Sequence, residues 1–239
     1  ELLSGDEARA RWPYLAPSIV QARFRAGDGF IDQVALARGY ATASSRASQI
    51  PGATGSGHAQ YALSVEVTGF LRGESGAITG VETSRGDVHT PAVMIAAGPW
   101  SGNVAALAGL ALPIAPTIRQ KLVIPNLPVI DQTGPMTIDD ETGSHWRPAG
   151  AGCYALRTDP ATPAGPPLLE VPTDDRYAQA LLDPASPSAL ALLAPFWREV
   201  WSAGLPAWHL AAGQYEYTPD RRPFIGATEV AGLFVNTGY

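Results

Sequence analysis

Residues 92–98, Ala92-Val93-Met94-Ile95-Ala96-Ala97-Gly98, form a continuous apolar run that passes directly into Pro99-Trp100-Ser101. A run of this kind predicts a central strand covered on both faces, and a helix is expected immediately after it, from about Ser101 to Leu107. Two alanines and a glycine at the strand end leave space for a close approach to the backbone. Open α/β sheets bind ligands at such strand ends. Tight helix packing would use the same small residues, so the run by itself leaves both readings open.

Around this strand the chain alternates between the two main periodicities. Asp32 is a candidate N-cap for a helix whose Val34, Leu36, Tyr40, Ala43 and Ala47 share one face. Residues 61–70 alternate with period two, and glycine-bearing turns at 73–76 and 84–87 separate them from strands at 78–83 and 88–89. Thirteen of the 22 prolines fall between Leu112 and Pro187, with strands still visible at 121–124, 154–156 and 168–171. A short helix is expected at 173–182, with acidic residues in its first turn, and another at 188–201, interrupted or bent at Pro195. A strand near Tyr215, a turn at 219–223 and a strand at 233–235 close the sequence. The fold class this predicts is α/β, in the mixed α+β sense.

Composition excludes several classes of function. Acidic residues outnumber basic ones, 22 to 16, and no basic stripe exists, which argues against nucleic acid as a partner. No stretch approaches the roughly 20 apolar residues of a membrane-spanning helix, and residues 1–7 lack the basic start and apolar core of a signal peptide. Cytoplasmic residence is the expectation. The single cysteine, Cys153, precludes an internal disulfide and a multi-cysteine metal site. The four histidines, His58, His89, His145 and His209, show no metal-ligand spacing, so no metal is expected. Gly52-Ala53-Thr54-Gly55-Ser56-Gly57 has the order G-x-x-G-x-G, follows Pro51 and precedes a strand. It reads as a loop, because a phosphate-binding G-x-G-x-x-G must join a strand to a helix.

Several segments, in order, resemble the FAD-dependent oxidoreductases of the D-amino-acid oxidase and sarcosine oxidase type. Gly27 to Asp32 resembles the entry to that family's long helix, and Val65 to Gly86 its β-meander. Ala96 to Ser101 resembles its AAG-x-W-S strand end. Leu112 to Gln120 resembles LP-x-x-P-x-R-x-Q, and residues 217–226 resemble TPD-x-x-P-x-IG. Residues 233–239 resemble the start of GL-x-V-x-x-G-(Y/F)-SGHG, and 138–148 resemble the sarcosine, dimethylglycine and proline dehydrogenase side of the family. The family's N-terminal G-x-G-x-x-G unit and its closing SGHG loop are absent, Glu1 is not a methionine, and residue 239 stands just past a strand. A fragment cut from both ends of a longer protein is therefore expected.

The resemblance implies FAD as cofactor and, as substrate, an amino acid or N-methylated amino acid whose C–N bond is oxidised by hydride transfer. It implies a partial FAD-binding, Rossmann-like domain with a β-meander, and a substrate domain on a mixed, largely antiparallel sheet with helices. The segments would be 1–31 (substrate domain), 32–110 (FAD-binding), 111–213 (substrate domain) and 214–239 (return to the FAD-binding domain). Arg147 is the candidate for the substrate carboxylate, because arginine matches that group with two charge-assisted bonds. His145 neighbours it, and Tyr215 lies on the strand beside the flavin ring, where Tyr215 and Tyr217 would point to one face. Val67, Ala97, Gly98, Trp100, Gly238 and Tyr239 are the candidate cofactor contacts. Some relatives carry an arginine near Tyr215, which is absent here. The one lysine, Lys121, does not match the flavin-facing lysine of some oxidases, so oxidase and dehydrogenase both stay open, as do an oligomer and an electron-acceptor partner. A non-catalytic subunit or binding module on the same scaffold is the alternative from another class, and a flavin hydroxylase a third.

Overall fold

The computed structural model describes residues 1–46 and 57–239; Ala47 and most of the glycine loop, residues 52–56, lie outside the described residues. Ser4 and Glu7 form a capping box. The Ser4 hydroxyl accepts the Glu7 N–H at 3.3 Å, and the Glu7 carboxylate accepts the Ser4 N–H at 2.8 Å. This box opens α1 (Gly5–Arg11), which lies between the paired antiparallel strands β1 (Leu2–Ser4) and β2 (Gln21–Arg23). Asp32 caps α2 (Gln33–Ser45) as the sequence predicts, accepting from the Val34 and Ala35 amides at 3.0 and 2.9 Å. The apolar stripe of α2 meets no core, however. None of its residues is buried, and Val34 and Tyr40 are 53% and 69% exposed.

The antiparallel meander comprises β3 (Val67–Arg72), β4 (Ile78–Thr83) and β5 (Val88–His89). The strand expected from residue 61 starts only at Val67, since Ser64 takes a left-handed φ of 55° that ends an extended run. Next, β6 (Val93–Ile95) leads through a 3-10 turn, Gly98–Trp100, into α3 (Ser101–Leu107), the helix expected there.

The largest sheet has five strands. β7 (Ala115–Ile124), β8 (Thr137–Ile138), β9 (Ser144–Ala149), β10 (Gly152–Arg157) and β11 (His209–Tyr217) take the order β11-β7-β10-β9-β8, antiparallel throughout. No strand forms at 168–171. The Leu168 amide donates instead to the Gln214 side chain at 2.7 Å, and prolines at 166, 167 and 172 remove the donors a ladder would need. α4 (Arg176–Leu182) starts later than expected, leaving Asp174 before its first turn, where it accepts the Arg176 amide at 3.0 Å. Pro195 breaks the following segment into a 3-10 turn, Leu190–Leu192, and α5 (Phe196–Ser202). β12 (Phe224–Ala227) and β13 (Leu233–Thr237) then form a second sheet with β6, in the order β12-β13-β6, with β13 parallel to β6. Here the sequence reading needs correction: among the described residues β6 is an edge strand, not a central one, and Met94 on it is 57% exposed.

One face of the five-stranded sheet carries the main core. Leu122, Ile124, Trp146, Cys153 and Ala155 pack with Leu181 and Leu182 of α4, Leu190 and Trp197. Trp146 meets Phe196 and Trp197 edge-on at 5.8 and 5.9 Å between centroids. The smaller core joins Ile78, Ile95, Ala105, Ala108, Leu233 and Val235. β11 stays in the large sheet up to Tyr217, so a division at 213/214 would fall within a continuous strand; the crossing to the small sheet comes at the turn after Tyr217.

Candidate functional site

Period-two alternation decides which side chains gather. Register places His145 and Arg147 of β9 opposite Leu156 and Tyr154 of β10, Tyr154 opposite Val123 of β7, and Tyr215 opposite Thr117. His145, Arg147, Tyr154, Lys121, Arg119, Tyr215 and Tyr217 therefore share the face opposite the core. The three residues singled out for substrate chemistry, Arg147, His145 and Tyr215, are on it together. Tyr215 is 55% exposed, and its ring lies 6.1 Å from that of Tyr217, so the two do point to one face. The Arg147 guanidinium stacks over Phe30 at 4.9 Å and Tyr154 at 4.6 Å, and donates to the Pro148 carbonyl at 3.1 Å. Among the described residues no carboxylate pairs with it.

His145 is half-buried. Its Nδ1 lies 2.8 Å from the Gly143 carbonyl, which makes Nδ1 the protonated nitrogen and leaves Nε2 as an acceptor. Burial holds its pKa below the ordinary histidine value, outweighing the opposing effect of that hydrogen bond. The imidazole is thus neutral at neutral pH and adds no positive charge to the face. A small crevice beside Tyr14, Ile130, Trp146 and Phe196 opens on the opposite, core side and has no part in this site. Cys153 also faces the core; burial pushes its thiol up to about 12, so it stays protonated and unreactive.

A second group of candidates meets where β6 and β13 end. Gly98 takes φ +56° and Gly238 φ +86°, both in the left-handed region that favours glycine. Between them lies a residue the sequence reading missed, Glu216. Its Oε1 accepts the Gly238 amide at 3.0 Å and the Thr237 hydroxyl at 3.3 Å, and Thr237 is hydrogen-bonded to Ser101 at 2.7 Å. Glu216 Oε2 is buried without a partner, and a Cβ on Gly98 would come within 3.1 Å of it. The signal that could have found Glu216 is its place between Tyr215 and Tyr217: alternation sends a charged residue to the opposite side of the sheet from both.

Of the other cofactor candidates, Ala97 precedes the 3-10 turn and is half-buried, and Trp100 is partly exposed at its end. Tyr239 is exposed, its phenol bonded to Asn236. Val67 lies on the separate meander, beside a register irregularity, and takes no part in this hydrogen-bonded group. A buried carboxylate oxygen lacking a donor, beside a glycine that offers no side chain, suits a hydroxyl-rich group such as the ribityl and ribose portions of FAD. Among the described residues no group of metal-ligating side chains is found, and no helix is long and apolar enough to cross a membrane.

Comparison with known proteins bears on the family and the fold. The FAD dependent oxidoreductase family profile matches residues 1–239. D-amino acid dehydrogenase of Cereibacter sphaeroides is 30% identical over 179 residues, covering 71% of this chain and 35% of that protein. Glycine oxidase of Pseudomonas aeruginosa is 35% identical over 118 residues, 49% of this chain and 30% of that protein. The crystal structure of L-proline dehydrogenase from P. horikoshii superposes with a TM-score of 0.76 at 23% identity, covering 100% of this chain and 58% of that one. That of glycine oxidase from Geobacillus kaustophilus gives 0.71 at 25% identity, covering 100% and 57%. The chain thus spans about a third of the curated relatives it matches and little more than half of the solved chains.

Proposed function

The chain belongs to the FAD dependent oxidoreductase family, and on that premise we propose that the open face of its five-stranded sheet binds an amino acid, or an N-methylated one, for oxidation of its C–N bond. The observation that carries this reading is Arg147: a stacked, immobilised guanidinium with no acidic partner among the described residues, on a face crossed by tyrosines. When bound, FAD supplies the two-electron acceptor for the carbon next to the amine. The chain's own residues bind and orient. Arg147 takes the substrate carboxylate through its two-pronged donor edge. Neutral His145 presents Nε2 as an acceptor for an amine proton, and the ring of Tyr215 limits water at the same face. Gly98, Gly238 and Glu216 hold the cofactor side, the glycines by allowing close approach and Glu216 by accepting a hydroxyl, with Ala97, Trp100, Tyr239 and Val67 as further contacts.

The exposed stripe of α2 and the open edge of β6 are the surfaces against which the rest of a flavin-binding protein would pack. Electrons then leave to oxygen or to a separate acceptor. A single cysteine kept as a buried thiol agrees with a cytoplasmic setting. The test is to purify the whole polypeptide that includes this chain, look for bound flavin, and follow its visible absorbance anaerobically as amino acids are added. Bleaching is expected. Arg147→Ala should raise the substrate dissociation constant about 10- to 100-fold, the range of a charged hydrogen-bond pair, with the unliganded flavin spectrum unchanged. A flavoprotein that no amino acid bleaches overturns the oxidation, and a colourless folded protein favours the non-catalytic alternative.

A further inference from the structure

Strands β10 and β7 separate after three paired residues. Cys153, Tyr154 and Ala155 lie opposite Ile124, Val123 and Leu122, and the same register carried on would set Leu156 against Lys121 and Arg157 against Gln120. The ladder stops short of those pairs, although β10 continues to Arg157 and β7 extends back to Ala115. A phenol stands in the gap. The Tyr177 hydroxyl accepts the Arg157 amide at 2.7 Å and donates to the Gln120 carbonyl at 2.7 Å, with the Arg157 carbonyl at 3.3 Å. Two bonds in series thus take the place of one direct N–H···O bond of about 2.9 Å. The strands are held apart by an inserted oxygen atom.

This wedge is fixed from both sides. Tyr177 lies in the first turn of α4 and packs against the main core. The start of α4 is tied to β7, because the Gln120 side chain accepts the Asp174 amide at 2.7 Å. Burial pushes the Tyr177 pKa up to about 12, against the opposing pull of its bond to Arg157 and of the Arg157 and Arg119 guanidinium groups. The phenol therefore keeps the proton that it donates. Beyond the wedge, Arg119 donates to the Asp159 carbonyl at 3.1 Å, and residues 164–165 take up the edge of β7 at Thr117 and Pro116. On the open face the split runs between Leu156 and Lys121. Leu156 pairs with His145 of β9 and stands two residues beyond Tyr154, the partner of Arg147, about 7 Å along the strand.

We infer that the Tyr177 hydroxyl is a spacer that sets the width of the substrate face between Leu156 and Lys121, and that this width admits an amino acid with a bulky apolar side chain. The inference rests on the substrate face proposed above and narrows its substrate class. A carboxylate at Arg147 leaves a side chain of aromatic size to lie over Leu156, one alternation along the strand pair. Tyr177 touches no ligand; it is a positioning residue that acts through the two strands.

Binding of propionate and 3-phenylpropionate, neither of which has an amine to oxidise, is measured by titration calorimetry on the whole polypeptide that includes this chain. The wild type should bind 3-phenylpropionate about tenfold or more tighter, the order expected when a phenyl ring enters an apolar slot. Tyr177→Phe keeps the ring and removes the spacer, so that Arg157 and Gln120 can bond directly. It should cut the preference to about threefold or less while leaving propionate within about twofold. Gln120→Leu keeps the phenol but frees the start of α4, and should move the preference the same way by a smaller factor. Loss of stability alone would weaken both acids alike.

A wild type without the preference overturns the inference, as does a preference that Tyr177→Phe leaves intact. Should Tyr177→Phe not fold, an intact preference in Gln120→Leu has the same force. If neither acid binds, the substrate face itself falls and the spacer with it. A preference that shifts as expected in a protein where amino acids bleach no flavin supports the spacer and removes only the oxidation.

Discussion

Leu122, on β7 of the large sheet, is fully buried, whereas Met94, midway along β6 in the small sheet, is 57% exposed. Both lie in apolar stretches that read as strands. The difference is in what covers them. In the large sheet α4, α5 and the 190–192 turn lie across one face, and a tryptophan wedge of Trp146 and Trp197 fills the middle. In the small sheet one parallel pair ends at a bare edge, although parallel strands are ordinarily enclosed. One region has its apolar strands covered by its own helices; the other leaves a strand edge exposed among the described residues. Stability should therefore be concentrated in the first and ligand dependence in the second.

The largest effect expected from this contrast is on folding. Trp197→Ala should cost about 3–5 kcal/mol in urea unfolding, the range for emptying a large aromatic site. Met94→Ala should cost about 0.5 kcal/mol or less, as exposed substitutions do. Trp197 Nε1 is buried without a partner, so Trp197→Phe should recover much of the loss. If Met94→Ala costs as much as Trp197→Ala, the small sheet is closed and the contrast fails.

A smaller effect separates two glycines in the two regions. At Gly98 an added Cβ meets both a left-handed φ and Glu216 Oε2 at 3.1 Å. Gly98→Ala should cost about 1–2 kcal/mol, and flavin retention through gel filtration should fall with it. Gly213, on β11, has nothing within 4 Å of the corresponding position. Gly213→Ala should be neutral or stabilise by about 0.5 kcal/mol through the unfolded chain. Equal losses at the two positions would show that the strand end has no special requirement for glycine.

What the sequence disclosed about these regions follows the same division. Local signals were legible where neighbouring residues satisfy them: the Asp32 cap, the helix at 101–107, the break at Pro195 and the shared face of Tyr215 and Tyr217. Arg147 and His145 were singled out through the resemblance, and the sheet register puts them on the same face as Tyr215. Burial was not legible. Periodicity says that Val34, Leu36 and Tyr40 share a face, or that 92–98 is apolar, but a periodic pattern cannot say whether a partner lies opposite it. Nor could spacing reveal Glu216 against Gly98 and Gly238, or Lys121 against Tyr154, since those contacts join strands distant in sequence.

The smallest effect concerns pH at His145, and it tests whether the polar face is partly dry before any ligand arrives. Burial lowers the folded-state pKa of His145 below its reference value of 6.5. The folded protein consequently binds fewer protons at this site than the unfolded chain over the interval between the two values. Stability attributable to His145 is complete above pH 6.5 and declines as the pH falls through that interval, because the unfolded chain takes up the proton first. His145→Gln keeps a polar side chain of similar reach but cannot titrate. Subtracting its urea stability from that of the wild type at a series of pH values should leave a difference that rises with pH below 6.5 and is flat above it. A difference of the opposite slope would mean that the imidazolium is stabilised in the folded state. His145 would then act as another cation on this face, and the neutral acceptor assigned to it would be wrong.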